Sequence, residues 1–82
     1  MEDKRYLLLV RTGCEFCSMA VDLLEEKKLA YDLAVSTRKN PILKMFQEVF
    51  EWKTVPMIME KKENNLFFIG GYTDLVERIN EG

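Results

Sequence analysis

Residues 5–26 read RYLLLVRTGCEFCSMAVDLLEE, and the change of period within them sets the architecture. Its first part, Arg5 to Val10, is a nearly continuous apolar run of strand length, the pattern of a strand buried on both faces. Thr12-Gly13 breaks the run. From Cys14 to Lys28 the period becomes helical: Cys17, Ala20, Val21 and Leu24 share one stripe, and Ser18, Asp22, Glu25 and Glu26 share the other. Ala30 to Val35 reads as a second strand. A helical crossover joins it to the first, which predicts a parallel, right-handed pair.

Further along, Asn40-Pro41 predicts a helix start, with Asn40 as N-cap and Pro41 at the first helical position. Ile42, Phe46, Val49 and Phe50 supply its apolar face, and it ends near Trp52. Met57 to Glu60 and Leu66 to Ile69 read as two short strands. Between them Lys61-Lys62-Glu63-Asn64-Asn65 is a polar hairpin connection of about five residues. Gly70-Gly71 closes the second arm, and Thr73 to Asn80 forms a last helix with Leu75, Val76 and Ile79 inward. The order β-α-β-α-β-β-α predicts an α/β fold: a four-stranded mixed sheet with helices on both faces.

The 82 residues fit one domain, expected to span 1–82. At this size only about 60% of the unfolded surface is buried. A hydrophobic content of 48% meets that demand without staples. A net charge of −2 leaves no basic footprint for nucleic acid. Tyr6 to Val10 is far short of a membrane span. The charged start, Met1 to Arg5, precedes too short an apolar run for a secretory signal. A cytoplasmic, monomeric protein without nucleic-acid or membrane partners is the expectation.

The chain has two cysteines, Cys14 and Cys17, and no histidine. Stapled secreted domains use more pairs at wider spacing. A structural zinc site takes four Cys or His ligands, so no metal site is expected. A Cys–His catalytic pair is excluded outright. What remains is a Cys-x-x-Cys between a buried strand and an amphipathic helix, a redox signature with a mechanism. Cys14 falls at the helix N-cap, where free N–H groups and the positive end of the macrodipole favour an anion. Such placement lowers a cysteine pKa from about 8.5 toward 3.5–7.5. Arg11 adds a positive charge three residues before it. Cys17, one turn further in, is placed to attack a mixed disulfide on Cys14 and release the reduced substrate. The reading is Cys14 as nucleophile and Cys17 as resolving thiol. Two small core cysteines are the bland alternative, and their spacing at a helix start after Gly13 argues against it.

With that motif placed, the chain resembles the glutaredoxins over nearly its full length. Arg11-Thr12-Gly13-Cys14-Glu15-Phe16-Cys17 is similar to the family's basic-x-x-Cys-Pro-Tyr-Cys segment, and Thr54-Val55-Pro56 to its Thr-Val-Pro. Gly70-Gly71 resembles the paired glycines, and Tyr72-Thr73-Asp74-Leu75 the polar segment that follows them. The resemblance implies a thioredoxin-like fold and glutathione-dependent reduction of protein disulfides or glutathione mixed disulfides. Glutathione is then the co-substrate, with no permanently bound cofactor. It also implies a cis Pro56 that presents the Val55 backbone to an extended ligand, against the usual trans preference. Thr73 and Asp74 would hold the γ-glutamyl end of glutathione at a helix N-terminus, although either is also explained as a simple cap. Phe16 would pack beside the bound thiol. The implied glutathione-binding set is Arg11, Phe16, Thr54, Val55, Pro56, Gly71, Thr73 and Asp74.

Three departures stand out. Glu15 replaces the usual proline, and its carboxylate opposes the Cys14 thiolate, which predicts a more reducing couple than in relatives with proline. Phe50-Glu51 stands where the family commonly has Thr-Gly. The family's contact with the glycine carboxylate, a glutamine or basic residue on the second helix, is not matched to a position here, and Arg38 and Lys39 are only nearby candidates. Two other functions stay open: an electron donor to ribonucleotide reductase recharged by thioredoxin reductase, and iron–sulfur cluster binding between two chains.

Overall fold

The computed structural model describes residues 4–81. Met1 to Asp3 of the charged start, and Gly82, lie outside the described residues. The elements run β1 (Lys4–Val10), α1 (Glu15–Glu26), β2 (Tyr31–Val35), α2 (Ile42–Phe50), β3 (Met57–Lys62), β4 (Asn65–Gly70) and α3 (Tyr72–Glu81). The strands form one sheet in the order β2-β1-β3-β4. β1 pairs parallel with β2, from Tyr6↔Tyr31 to Val10↔Val35, and antiparallel with β3. β3 and β4 pair antiparallel. This is the thioredoxin-like α/β architecture, with the mixed sheet that the element order predicts.

The apolar run of β1 is continuous because both faces of the sheet are covered. Tyr6, Leu8 and Val10 join Cys17, Ala20 and Leu24 of α1, Ile58 of β3 and Leu75 of α3 in one buried cluster. Leu9 points the other way, into a second cluster with Leu43 of α2 and with Met57 and Met59 of β3. α1 and α3 therefore cover one face and α2 the other. The central strands carry both clusters, and the helices hang their N-termini at one end of the sheet.

Several local expectations are corrected. α2 begins at Ile42, so neither Asn40 nor Pro41 holds the expected position. Pro41 occupies the cap at φ −81° and ψ 46° with no side-chain capping bond. The cap comes from further back: the Ser36 hydroxyl accepts the Leu43 N–H at 3.3 Å and donates to the Asn40 carbonyl at 3.2 Å. On α2, Leu43 is the residue that is buried, whereas Val49 is 75% exposed and Met45 61% exposed. The β3–β4 connection is tighter than five residues. Lys62 pairs with Asn65, leaving Glu63 and Asn64 as a two-residue turn with Glu63 at φ 58°. The polar Lys61, Lys62 and Asn65 continue the ladder because backbone pairing, not side-chain polarity, decides where a hairpin closes.

One irregularity positions the site. Ile58 pairs with Gly70 and Met59 with Phe68, so Ile69 is an extra residue in β4. The bulge bends β4 as it leaves the sheet and delivers Gly70-Gly71 to the start of α3.

Candidate active site

The loop Arg11-Thr12-Gly13 turns the chain from β1 into α1, and Gly13 takes φ 78°, which a side chain rarely tolerates. Cys14 follows as the N-cap of α1, extended at φ −96° and ψ 112°. Its Sγ accepts the Cys17 N–H at 3.2 Å, so the sulfur satisfies one of the orphan donors of the first turn, as a capping oxygen would. Cys14 and Cys17 are joined as a disulfide with Cα atoms 5.2 Å apart. Their exposures differ. Cys17 is 5% exposed within the α1 core cluster, while Cys14 is half-buried and only packs against that cluster. Attack from solvent therefore meets Cys14 first.

A groove of about 660 Å³ opens beside Cys14. On its near side are Arg11 and Phe16, and Phe16 reaches across to Tyr72 with ring centroids 6.1 Å apart. Its far wall is Thr54-Val55-Pro56, where the Val55–Pro56 bond is cis as the resemblance implied. Gly71, Thr73 and Asp74 close its end. Nine of the ten sequence-predicted residues thus meet around one groove; the tenth, Cys17, lies behind Cys14.

At the α3 end, the first helical bond runs from the Leu75 N–H to the Gly71 carbonyl at 3.0 Å. The amides of Tyr72, Thr73 and Asp74 accordingly have no partner within the helix. Asp74 folds back so that its Oδ2 accepts the Gly71 N–H at 2.9 Å. Gly70 sits at φ 130°, and a Cβ there would strike the Asp74 carboxylate. Gly71 has no such need: its φ is unremarkable, and a Cβ would meet Pro56 O and Trp52 Cζ2 at 3.7 Å, ordinary contact distance.

Two residues absent from the sequence reading also line the groove, Gln47 of α2 and Lys53. Gln47 Nε2 donates to the Thr54 carbonyl at 3.2 Å, tying α2 to the loop before Pro56. Arg38 and Lys39, the candidates considered from sequence, lie before α2 and do not line it. Trp52 lines the groove as well, its ring set edge-on to Phe68 at 5.2 Å, with the indole N–H buried and unpaired among the described residues.

A thioredoxin-like sheet carrying a Cys-x-x-Cys disulfide at a helix N-terminus defines a thiol–disulfide oxidoreductase. The sequence model of the Glutaredoxin family matches residues 6–63, well over half of the chain. The chain belongs to the glutaredoxin family. The match covers Cys14, Cys17 and Thr54-Val55-Pro56 and ends before Gly70-Gly71 and Asp74. Among solved structures, the chain is similar to glutaredoxin 1 from Francisella tularensis, crystallised with cacodylate. That likeness has 24% identity and a TM-score of 0.73, over 95% of this chain and 94% of the other. Spinach chloroplast thioredoxin f is also similar, at 24% identity and a TM-score of 0.61, over 98% of this chain and 76% of the other. Both likenesses speak to the fold. No curated protein sequence matches the chain. No helix among the described residues is long and apolar enough to cross a membrane.

Proposed function

We propose that the chain uses glutathione to reduce protein disulfides or glutathione mixed disulfides, with Cys14 as nucleophile and Cys17 as resolving thiol. The observation that carries this reading is the placement of Cys14 Sγ, 3.2 Å from the Cys17 N–H on the α1 N-terminus, at the edge of an open groove. In the reduced protein the same N–H and the helix dipole favour the thiolate. Arg11 adds a positive charge at the mouth.

Cys14 thiolate attacks one sulfur of the substrate disulfide, a new S–S bond forms to Cys14, and the other substrate sulfur leaves as thiolate. Cys17 then attacks the Cys14 sulfur, the second substrate thiolate departs, and two electrons have passed from the dithiol to the substrate. Two molecules of glutathione return the Cys14–Cys17 disulfide to the dithiol, leaving as oxidised glutathione. In the one-thiol route a single glutathione resolves a glutathione–Cys14 mixed disulfide, and Cys17 is dispensable.

The groove supports glutathione as the partner because its polar groups suit a zwitterion with two carboxylates. The free amides at Thr73 and Asp74 suit the γ-glutamyl carboxylate, and the Asp74 carboxylate suits its ammonium. The Val55 backbone, on the groove wall beside Pro56, suits the cysteinyl amide. Gln47 and Lys53 line the same groove and suit the glycine carboxylate, and Phe16 lines it beside Cys14.

The test is turnover of a glutathione mixed disulfide, coupled to glutathione and glutathione reductase. Wild type is expected to turn over, Cys14→Ser to lose activity entirely, and Cys17→Ser to retain it by the one-thiol route. Failure with glutathione alongside rapid recharging by thioredoxin reductase would reverse the choice of reductant. Activity surviving in Cys14→Ser would reverse the assignment of the nucleophile.

A further inference from the structure

Cys14 has a second flank. On the side of α1 away from α3, a separate cleft of about 470 Å³ runs from Cys14 down to the edge strand β2. Val10, Val21 and Leu33 give it an apolar floor. Leu33 pairs with Leu8 and so faces the α1 side, yet at the sheet edge it stays 47% exposed. Asp22 stands on the α1 side of the cleft, while Arg11 and Glu15 sit at the junction and line both concavities. The acidity extends beyond the rim. Between Thr12 and Glu26 the chain has four carboxylates, Glu15, Asp22, Glu25 and Glu26, and no basic residue.

The two flanks of Cys14 therefore differ in chemistry. Both concavities carry Arg11 and Glu15. To these the groove adds Lys53, Asp74 and the N-terminal amides of α3, a mixed set that suits a zwitterion, whereas the only charge the cleft adds is the Asp22 carboxylate above apolar carbon, which suits a cation beside an apolar group. A glutathione molecule, with two carboxylates and an ammonium, is matched by the first, which offers both a second cation and free amides. We propose that the cleft docks the protein substrate: a segment with an apolar side chain next to its disulfide cysteine, followed by Lys or Arg. The apolar side chain covers Leu33 and Val21, and the basic residue meets Asp22 and Glu15. The proposal rests on thiol–disulfide exchange at Cys14 and not on the choice of glutathione as reductant.

Prereduced protein in single turnover isolates this step from any recycling system. Two cysteine peptides oxidised to symmetric dimers serve as probes, one with Leu and Lys beside the cysteine and one with Ser and Glu. Bis(2-hydroxyethyl) disulfide is the small neutral control. Rates with dithiothreitol correct for the intrinsic reactivity of each disulfide. At low salt the Leu/Lys peptide is expected to react about tenfold faster than the Ser/Glu peptide, within the range that electrostatic steering supplies. Asp22→Lys should bring that ratio close to one, and added salt should narrow it in wild type. Leu33→Ser should slow the Leu/Lys peptide at every salt concentration. Both variants should keep the wild-type rate with the small disulfide. Equal corrected rates for the two peptides in wild type, or a preference that survives Asp22→Lys, would overturn the docking surface. Failure of wild type to reduce even bis(2-hydroxyethyl) disulfide is a separate result, which overturns exchange at Cys14 itself.

Discussion

The Asp74 carboxylate accepts the Gly71 N–H at 2.9 Å and is crowded by Gly70, whose φ of 130° leaves room for no side chain beside it. From sequence, Asp74 is explained locally as a cap, and the family resemblance favours a ligand group; both roles belong at the start of a helix. The structure adds that capping employs one carboxylate oxygen, while the residue still lines the groove. Asp74→Asn separates the roles. The amide oxygen still accepts the Gly71 N–H, so the thermal midpoint should hold, but the charge proposed to face the glutathione ammonium is lost. KM for glutathione should rise about fivefold with kcat little changed, the worth of one exposed charge pair; an unchanged KM would leave Asp74 as a cap alone. Cys14, Cys17, Thr54-Val55-Pro56 and Thr73-Asp74 were legible because each motif is contiguous and its chemistry local. Gln47 was not. On a helix it reads as one more solvated polar residue, and its bond to the Thr54 carbonyl exists only once α2 and the loop before Pro56 have come together.

At the scale of elements, α2 shows where periodicity runs out. Six of its nine residues are apolar, Ile42, Leu43, Met45, Phe46, Val49 and Phe50, so more than one face could be the buried one. Packing chose Leu43, and left Val49 outside although its spacing from Ile42 and Phe46 fits a stripe. The end of the helix is also instructive. Glu51 takes the left-handed conformation at φ 53°, with its N–H and that of Trp52 both donating to the Gln47 carbonyl. This is the position where glycine ends a helix at least cost. Glu51→Gly should relieve about 1 kcal/mol of local strain and return part of it through a freer unfolded chain. The net gain should be about 0.5 kcal/mol, raising the thermal midpoint by about 2–4 °C in circular dichroism melts. A lower midpoint would mean that the Glu51 side chain contributes something the backbone geometry does not reveal. The turn into Trp52 is made by two backbone bonds to the Gln47 carbonyl that glycine leaves intact, and the Gln47 side chain on the Thr54 carbonyl holds the wall beyond it.

Across the whole molecule, the mixed sheet and its helical layers followed from the element order, but the position of β1 beside β3 required the structure. So did the role of Glu60, which the sequence shows only as the polar end of a strand. Glu60 is 3% exposed at the centre of the sheet, where Arg78 of α3 donates to its carboxylate at 2.6 Å and Lys4 of β1 lies 3.7 Å away. The partners stand 18 residues after it and 56 before it, beyond any local pattern. One carboxylate thereby joins β1, β3 and α3. The Arg78 hydrogen bond holds the Glu60 carboxyl below its ordinary value of 4.5; burial opposes the shift, and Lys4 and Lys62 assist it. A group whose pKa is lowered by folding stabilises the folded chain above its unfolded value and loses that contribution as pH falls through the folded one. Stability from Glu60 should therefore be complete at neutral pH and decline as the pH falls below about 4.5. Glu60→Gln keeps the shape and removes the charge. It should cost about 2 kcal/mol at pH 7, the scale of a charge-assisted hydrogen bond with a buried acceptor. The gap between variant and wild type should narrow in urea titrations run at pH 7 and then at progressively lower pH below 4.5. A gap that stayed constant through that range would assign the loss to packing at the centre of the sheet, not to the ionised carboxylate.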